Sequence, residues 1–335
     1  MIFRHIWLFI IIIIVTFCGC NGKSFGMIDN SETIHINRFD SLLFEWIDSD
    51  NQVLLDEIKS KYPTMPVMLY KALLQTNNTD TLAVFDYLIN YYSEPTLKAL
   101  YKDALTFFDS DSPETVQTEK ELTRGFEWMK KNFPSMRIPA VYMHVSGLQQ
   151  NIIVADSLLS CSIDKYMGAD YPLYEDFFYG YQRKSMIPER VAKDCLSAWL
   201  KSEFPFTGND NVLLDRMIYE GKIIYILTQT GNDYGFKNIT SLTEDEYQWC
   251  IEYESSLWTT IIERKHLYTP DISTTAKYFQ PSPSQFISDR APGNLGNFIG
   301  YKIIERYMKQ TKSTFIELMN NHEAQDVLQK SKYKP

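Results

Sequence analysis

One spacing narrows the fold more than any other feature of the chain. From Ile36 to about Phe133 apolar residues recur every three or four positions, and the same spacing returns after Pro188. This period lays apolar side chains along one face of an α-helix, whereas a half-buried strand would alternate every two. RFDSLLFEWID, QVLLDEIKSKYP, PVMLYKALLQ, TLAVFDYLINYY and PTLKALYKDALTFF each carry it, with Pro63, Pro66 and Pro95 as breaks between them. SPETVQTEKELTRGFEWMKKNFP predicts a longer helix, with Ser112 as N-cap, Pro113 in the first turn and Pro134 as the stop. The tyrosines and phenylalanines of this region fall at core spacings and read as packing.

At Arg137 the texture changes. RIPAVYMHVSG and NIIVADSLLSCSI carry β-branched and aromatic runs bounded by Gly, which predicts two or three strands, a hairpin continuing into an extended edge. Helices then resume. PERVAKDCLSAWLKSEF starts with Pro188 in its first turn and buries Val191, Ala192, Cys195, Ala198 and Trp199. A second helix is expected over Asn211 to Gln229. A third, about five turns long, opens on a capping box formed by Thr243 and Glu246. In APGNLGNFIGYKIIERYM, Pro292 and Gly293 make a turn, and Gly296 and Gly300 give the following helix a flat side for close packing. These glycines match neither a dinucleotide nor a P-loop fingerprint, so no cofactor is expected. The fold class is α+β, predominantly α-helical, with a small sheet. The expected division is a tether over 20–35, an N-terminal helical layer over 36–133, and an α+β region over 134–335 packed with that layer as one globular unit.

The segment before the tether reads as an export signal. Arg4 precedes an apolar run from Ile6 to Cys18, which ends at Gly19 and Cys20. The run is shorter than the ~20 residues that span a bilayer as a helix. Phe17 and Cys18 stand where a lipobox carries Leu and a small residue, and Gly19-Cys20 is the expected cleavage point. Residues 1–19 are then a lipoprotein signal peptide and Cys20 the lipidated residue; an uncleaved anchor is the alternative. Several acyl chains together hold a protein stably to a membrane. NGKS after Cys20 contains no acidic residue, which favours a periplasm-facing body on the inner leaflet of the outer membrane or the outer leaflet of the inner one. Cys161, Cys195 and Cys250 remain in the mature chain; three thiols allow one internal disulfide, and spacing does not choose the pair.

The net charge of −9 and pI near 5.2 exclude nucleic acid as a main partner, since such binders carry basic stripes. The most informative residue is Glu220, in MIYEGKIIYIL. On a helix it shares a stripe with Leu213, Met217, Ile224 and Leu227, and a carboxylate facing a core must be paired, hydrogen-bonded, metal-bound or protonated. A helix followed by a second with an inward Glu-Gly, here Glu220 and Gly221, has the layout of gluzincin-type zinc peptidases. There the first helix presents HExxH, two imidazoles one turn apart that grip one ion. In VAKDCLSAW, Lys193 and Asp194 stand where His and Glu would be, and Ser197 where the second His would be. No zinc triad is left, because an ammonium cannot ligate zinc and a hydroxyl does so poorly; no metal is expected. His35, His144, His266 and His322 are scattered without ligand spacing. Cys195 falls on an apolar face, where core packing is the plainer reading than an activated thiolate. Glu220 is expected to be held by hydrogen bonds or by a cation such as Lys193 on the facing helix, and Glu220, Gly221, Lys193 and Asp194 make a candidate relic site.

IDKYMGADYPLY, YQRKSMIPERVAKDCLSAW, MIYEGKIIYIL, LWTTIIERKHLY and APGNLGNFIGYKIIERYM, in this order and with NRFD near Phe39, resemble the gliding-motility lipoprotein GldB family of the Bacteroidota. The likeness covers nearly the whole mature chain. It implies a membrane-anchored envelope protein tied to gliding and the associated secretion machinery, with a zincin-like scaffold lacking its metal site and with no catalytic residues to carry over. The expected work is non-enzymatic, through contacts with other envelope proteins. A divergent zincin-like hydrolase is the alternative, and a glycan-binding lipoprotein, suggested by 14% aromatic residues, is a third reading.

Overall fold

A computed structural model describes residues 33–75 and 83–335. The signal peptide expected over 1–19, Cys20 and the tether before Thr33 lie outside the described residues. The chain enters against its own helical layer. Ile34 and Ile36 are buried, and their N–H groups donate to the Thr123 hydroxyl and to Glu119.

The helical period of the first half appears as α1 (Phe39–Ser49), α2 (Gln52–Lys61), α3 (Met65–Leu74), α4 (Val84–Tyr92), α5 (Pro95–Phe107) and α6 (Pro113–Asn132). Side chains close their open N–H groups: Asn51 caps α2, Glu94 caps α5, and Ser112 caps α6 with Pro113 behind it. Tyr92, Tyr101 and Phe108 are fully buried, so these aromatics do pack the core.

The sheet holds β1 (Ala140–His144), β2 (Ile152–Ala155) and β3 (Leu158–Ser162), in the order β1-β3-β2. β2 and β3 form the expected hairpin. β3 is not the edge that the sequence suggested but the central strand, antiparallel to β2 and parallel to β1, and all five of its residues are buried. Its polar residues are satisfied internally: Ser160 Oγ lies 2.7 Å from His144 Nδ1, and Ser162 bonds the buried Asp164 carboxylate.

The second half holds α7 (Pro172–Phe177), α8 (Gly180–Arg183), a 3-10 turn over Pro188–Arg190, α9 (Val191–Glu203), α10 (Leu213–Thr228), α11 (Phe236–Thr240), α12 (Glu244–Glu252), α13 (Glu254–Glu263), α14 (Ile272–Lys277), α15 (Leu295–Thr311), α16 (Phe315–Asn320) and α17 (Ala324–Ser331). The capping box of Thr243 and Glu246 opens α12 as expected. The five-turn helix is instead two, broken at Tyr253, whose φ of −101° and ψ of 13° leave the helical region. Pro188 starts a 3-10 turn that runs into α9 rather than α9 itself.

α10 and α15 make the closest helix pairing. A Cβ on Gly221 would sit 2.4 Å from the Gly300 carbonyl, and one on Gly300 would sit 2.0 Å from the Met217 oxygen, so the two backbones touch. Gly296, expected on the same flat side, meets the Phe279 ring instead. Residues Thr33–Pro335 form one compact unit around a continuous apolar core. Among the described residues no helix is long and apolar enough to cross a membrane.

Candidate functional site

A polar cleft of about 310 Å³ opens where α9, α10, α11 and the start of α15 meet. α9 and the turn before it supply Arg190, Lys193, Asp194, Ser197 and Lys201; Arg190, Asp194, Ser197 and Lys201 are spaced three or four apart and so share one face, with Lys193 at its edge. α10 supplies Glu220 with Ile223, Ile224 and Leu227 beneath it. Lys184 enters from the α8 side, Glu246 from α12, and Asn294 and Asn297 from the head of α15. Asn294 holds the left-handed conformation, with φ at 59°, which Asn tolerates better than most residues.

Three of the four relic-site candidates, Glu220, Lys193 and Asp194, line this cleft. Gly221 does not; its place is the seam with Gly300. The expected Glu220–Lys193 pair is corrected by the structure. Glu220, with its side chain 12% exposed, bonds Lys201 at 2.8 Å and Arg216 at 3.4 Å. Lys193 lies two turns away on α9, a rise of ~12 Å. Its ammonium sits over the Tyr234 ring, 5.0 Å from the centroid. Lys201 was missed, although its spacing of eight from Lys193 puts it on the same face. Arg216 was legible as the i,i+4 partner of Glu220.

The other two cleft carboxylates are also held. Asp194 takes bonds from Arg190 and, at 2.9 Å, from the Tyr166 hydroxyl. Arg190 also bonds the Ile239 carbonyl, which ties the start of α9 to the end of α11. Glu246 pairs with Lys184 at 2.8 Å and closes its capping box. The lining therefore holds four cationic side chains and three carboxylates. Lys193 is the cation left over, with no carboxylate at salt-bridge distance among the described residues, and burial and the neighbouring Arg190 push its ammonium below the usual lysine range. Among the described residues no three His, Cys, Asp or Glu side chains are grouped to hold a metal ion.

An exposed aromatic adjoins this charged interior: Tyr179, 72% exposed, stacks its ring on Tyr181, which lines the cleft. Fold and cleft together define a mostly helical α+β protein with a polar cleft lined by four cationic side chains and three carboxylates, on a chain that is acidic overall. The chain belongs to the family of gliding motility protein GldB, whose model matches residues 26–335. No curated protein and no solved structure matches it.

Proposed function

We propose that this member of the GldB family is a lipid-anchored envelope protein, held through Cys20 and facing the periplasm, that works by gripping an acidic segment of another envelope protein in its cleft. One observation carries the reading: every cleft carboxylate is already bound to a cation of its own chain, while Lys193 is left without one. A carboxylate caged by Lys201 and Arg216 is poorly placed to take a proton from water as a general base must. A buried ammonium with no carboxylate partner instead favours an incoming anion, and the exposed Tyr179 beside the cleft suits the aromatic anchors that dominate protein interfaces. Three of the stretches that carry the family likeness, around Arg190, Glu220 and Asn294, line the cleft, and a fourth backs it through Tyr166. Lys193, Asp194 and Ser197 facing the groove also suit descent from a zincin-like helix whose ligands were replaced.

A photo-crosslinking residue at Ser197 in the native envelope tests this. One partner, joined through an acid-rich peptide and lost in Lys193→Glu, is the expected result. Crosslinking indifferent to Lys193→Glu would remove the role given to that cation. Peptide cleavage by the purified protein that disappears in Glu220→Ala would replace the reading with the hydrolase one.

A further inference from the structure

The three cysteines of the body are all buried, and they are not equivalent. Cys161 stands in β3, the central strand, and Cys195 in the middle of α9, which packs directly on that strand. The Cys195 side chain is among the groups that act on the Cys161 thiol, and Tyr166, whose hydroxyl bonds Asp194, lies beside them at the back of the cleft. Cys250 stands apart on α12, and no cysteine is among the groups that act on it.

We propose that Cys161 and Cys195 are the pair that closes to a disulfide when the chain folds in the presence of a thiol oxidant, leaving Cys250 as the lone thiol. Of the three thiols, these two are the buried pair carried on elements that pack broadly against one another, β3 and α9, which is what approach to disulfide geometry requires. The oxidant is a disulfide-bearing oxidoreductase or a small disulfide. One cysteine thiolate attacks it, forming a mixed disulfide and releasing the first of the oxidant's thiols. The second cysteine then attacks the mixed disulfide, and the oxidant's other thiol leaves. Two S–H bonds and the oxidant's S–S bond are lost, one S–S bond forms in the chain, and the oxidant departs reduced by two electrons and carrying two protons. In the closed core both thiols are out of reach, and burial pushes Cys161 far above the range in which thiolate exists. The exchange therefore belongs to folding, before α9 seats on β3. The bond would fix the helix bearing Lys193, Asp194, Ser197 and Lys201 to the sheet behind it.

The occurrence of this bond in the cell rests on the envelope placement proposed above; the choice of pair does not. The full chain, made with its own signal and extracted under N-ethylmaleimide, is denatured, digested and read by mass spectrometry. A peptide linking Cys161 to Cys195, split by reductant and retained in Cys250→Ala, is the expected result, together with an alkylated Cys250. The folded protein should resist dithiothreitol until urea is added, and reduction should then lower Tm in the parent but not in a Cys161→Ala/Cys195→Ala variant. If the extracted protein carries three thiols, it is unfolded and refolded with oxidised glutathione. A Cys161–Cys195 bond formed then supports the pair and counts against the oxidising compartment. A link through Cys250, or no link after oxidative refolding, overturns the inference.

Discussion

Glu220 draws its two cations from different distances along the chain, and only one was readable. Arg216 is one helical turn away, where any i,i+4 pairing rule finds it. Lys201 comes from another helix, and choosing it over Lys193 needs the relative register of α9 and α10, a tertiary quantity that no local pattern encodes. The assignment has a consequence for stability. Lys201→Met should cost about 1 kcal/mol, since its side chain is 39% exposed and Arg216 still holds the acid. Lys193→Met has no ion pair to lose, and the lost contact with the Tyr234 ring is offset by removing a charge that burial disfavours, so it should cost no more than ~0.5 kcal/mol while removing the partner capture proposed above. Urea unfolding of the two variants checks this, and a larger loss for Lys193→Met than for Lys201→Met would mean that the cations were assigned the wrong way round. The NRFD stretch shows a similar limit. Its residues looked only like a landmark, but Asn37 donates its N–H to Val141 of β1 at 2.8 Å, Arg38 grips the buried Asp40 at 2.8 Å, and Phe39 is fully buried. The stretch is a staple between the first helix and the sheet.

At the level of elements, the helices and their caps were the readable part, because period and capping are local. The N-caps at Ser112 and Thr243 stand where the chain places them. The strand order was not readable: a hairpin signal identifies β2 and β3 as neighbours but not β1 joining from the other side in parallel, which depends on the long-range layout. The close pairing of α10 and α15 lies between these cases. Gly300 announced a flat helix side, and its partner Gly221 was singled out only as the neighbour of Glu220. Gly300→Ala would place a methyl 2.0 Å from a backbone oxygen that has no rotamer to yield, so the helices must part. A loss of about 3 kcal/mol or more is expected by urea unfolding. Gly180→Ala, with nothing within 4 Å of the added carbon, should be within ~0.5 kcal/mol of the parent. A neutral Gly300→Ala would show that the seam is looser than described.

For the molecule as a whole, acid stability hangs on a residue that the sequence left among the scattered histidines. His144 is fully buried beside Ser160, its Nε2 is without a partner, and burial pushes its pKa from 6.5 down to about 3. The unfolded chain binds a proton there at a higher pH than the folded one. The contribution of this group is therefore full above pH 6.5 and is lost progressively as pH falls towards 3, by as much as ~4 kcal/mol. Urea midpoints at pH 7, 5 and 4 should fall more steeply for the parent than for His144→Gln, and parallel slopes would assign the acid sensitivity elsewhere. Charge and composition argue against a basic main working surface and leave room for a local patch of cations, but the surplus of one cation in this cleft of an acidic chain is a property of assembly. It appears only when α8, α9, α10, α12 and the head of α15 are brought together.

Because Gly221 directly follows Glu220, the acid that anchors one wall of the groove is set by a main-chain-to-main-chain contact with no torsional slack. That wall of the cleft is thus a fixed gauge, unable to relax by repacking side chains. Under the binding role proposed above, adaptation at this wall would fall to the guest segment, which would take its shape from the mould.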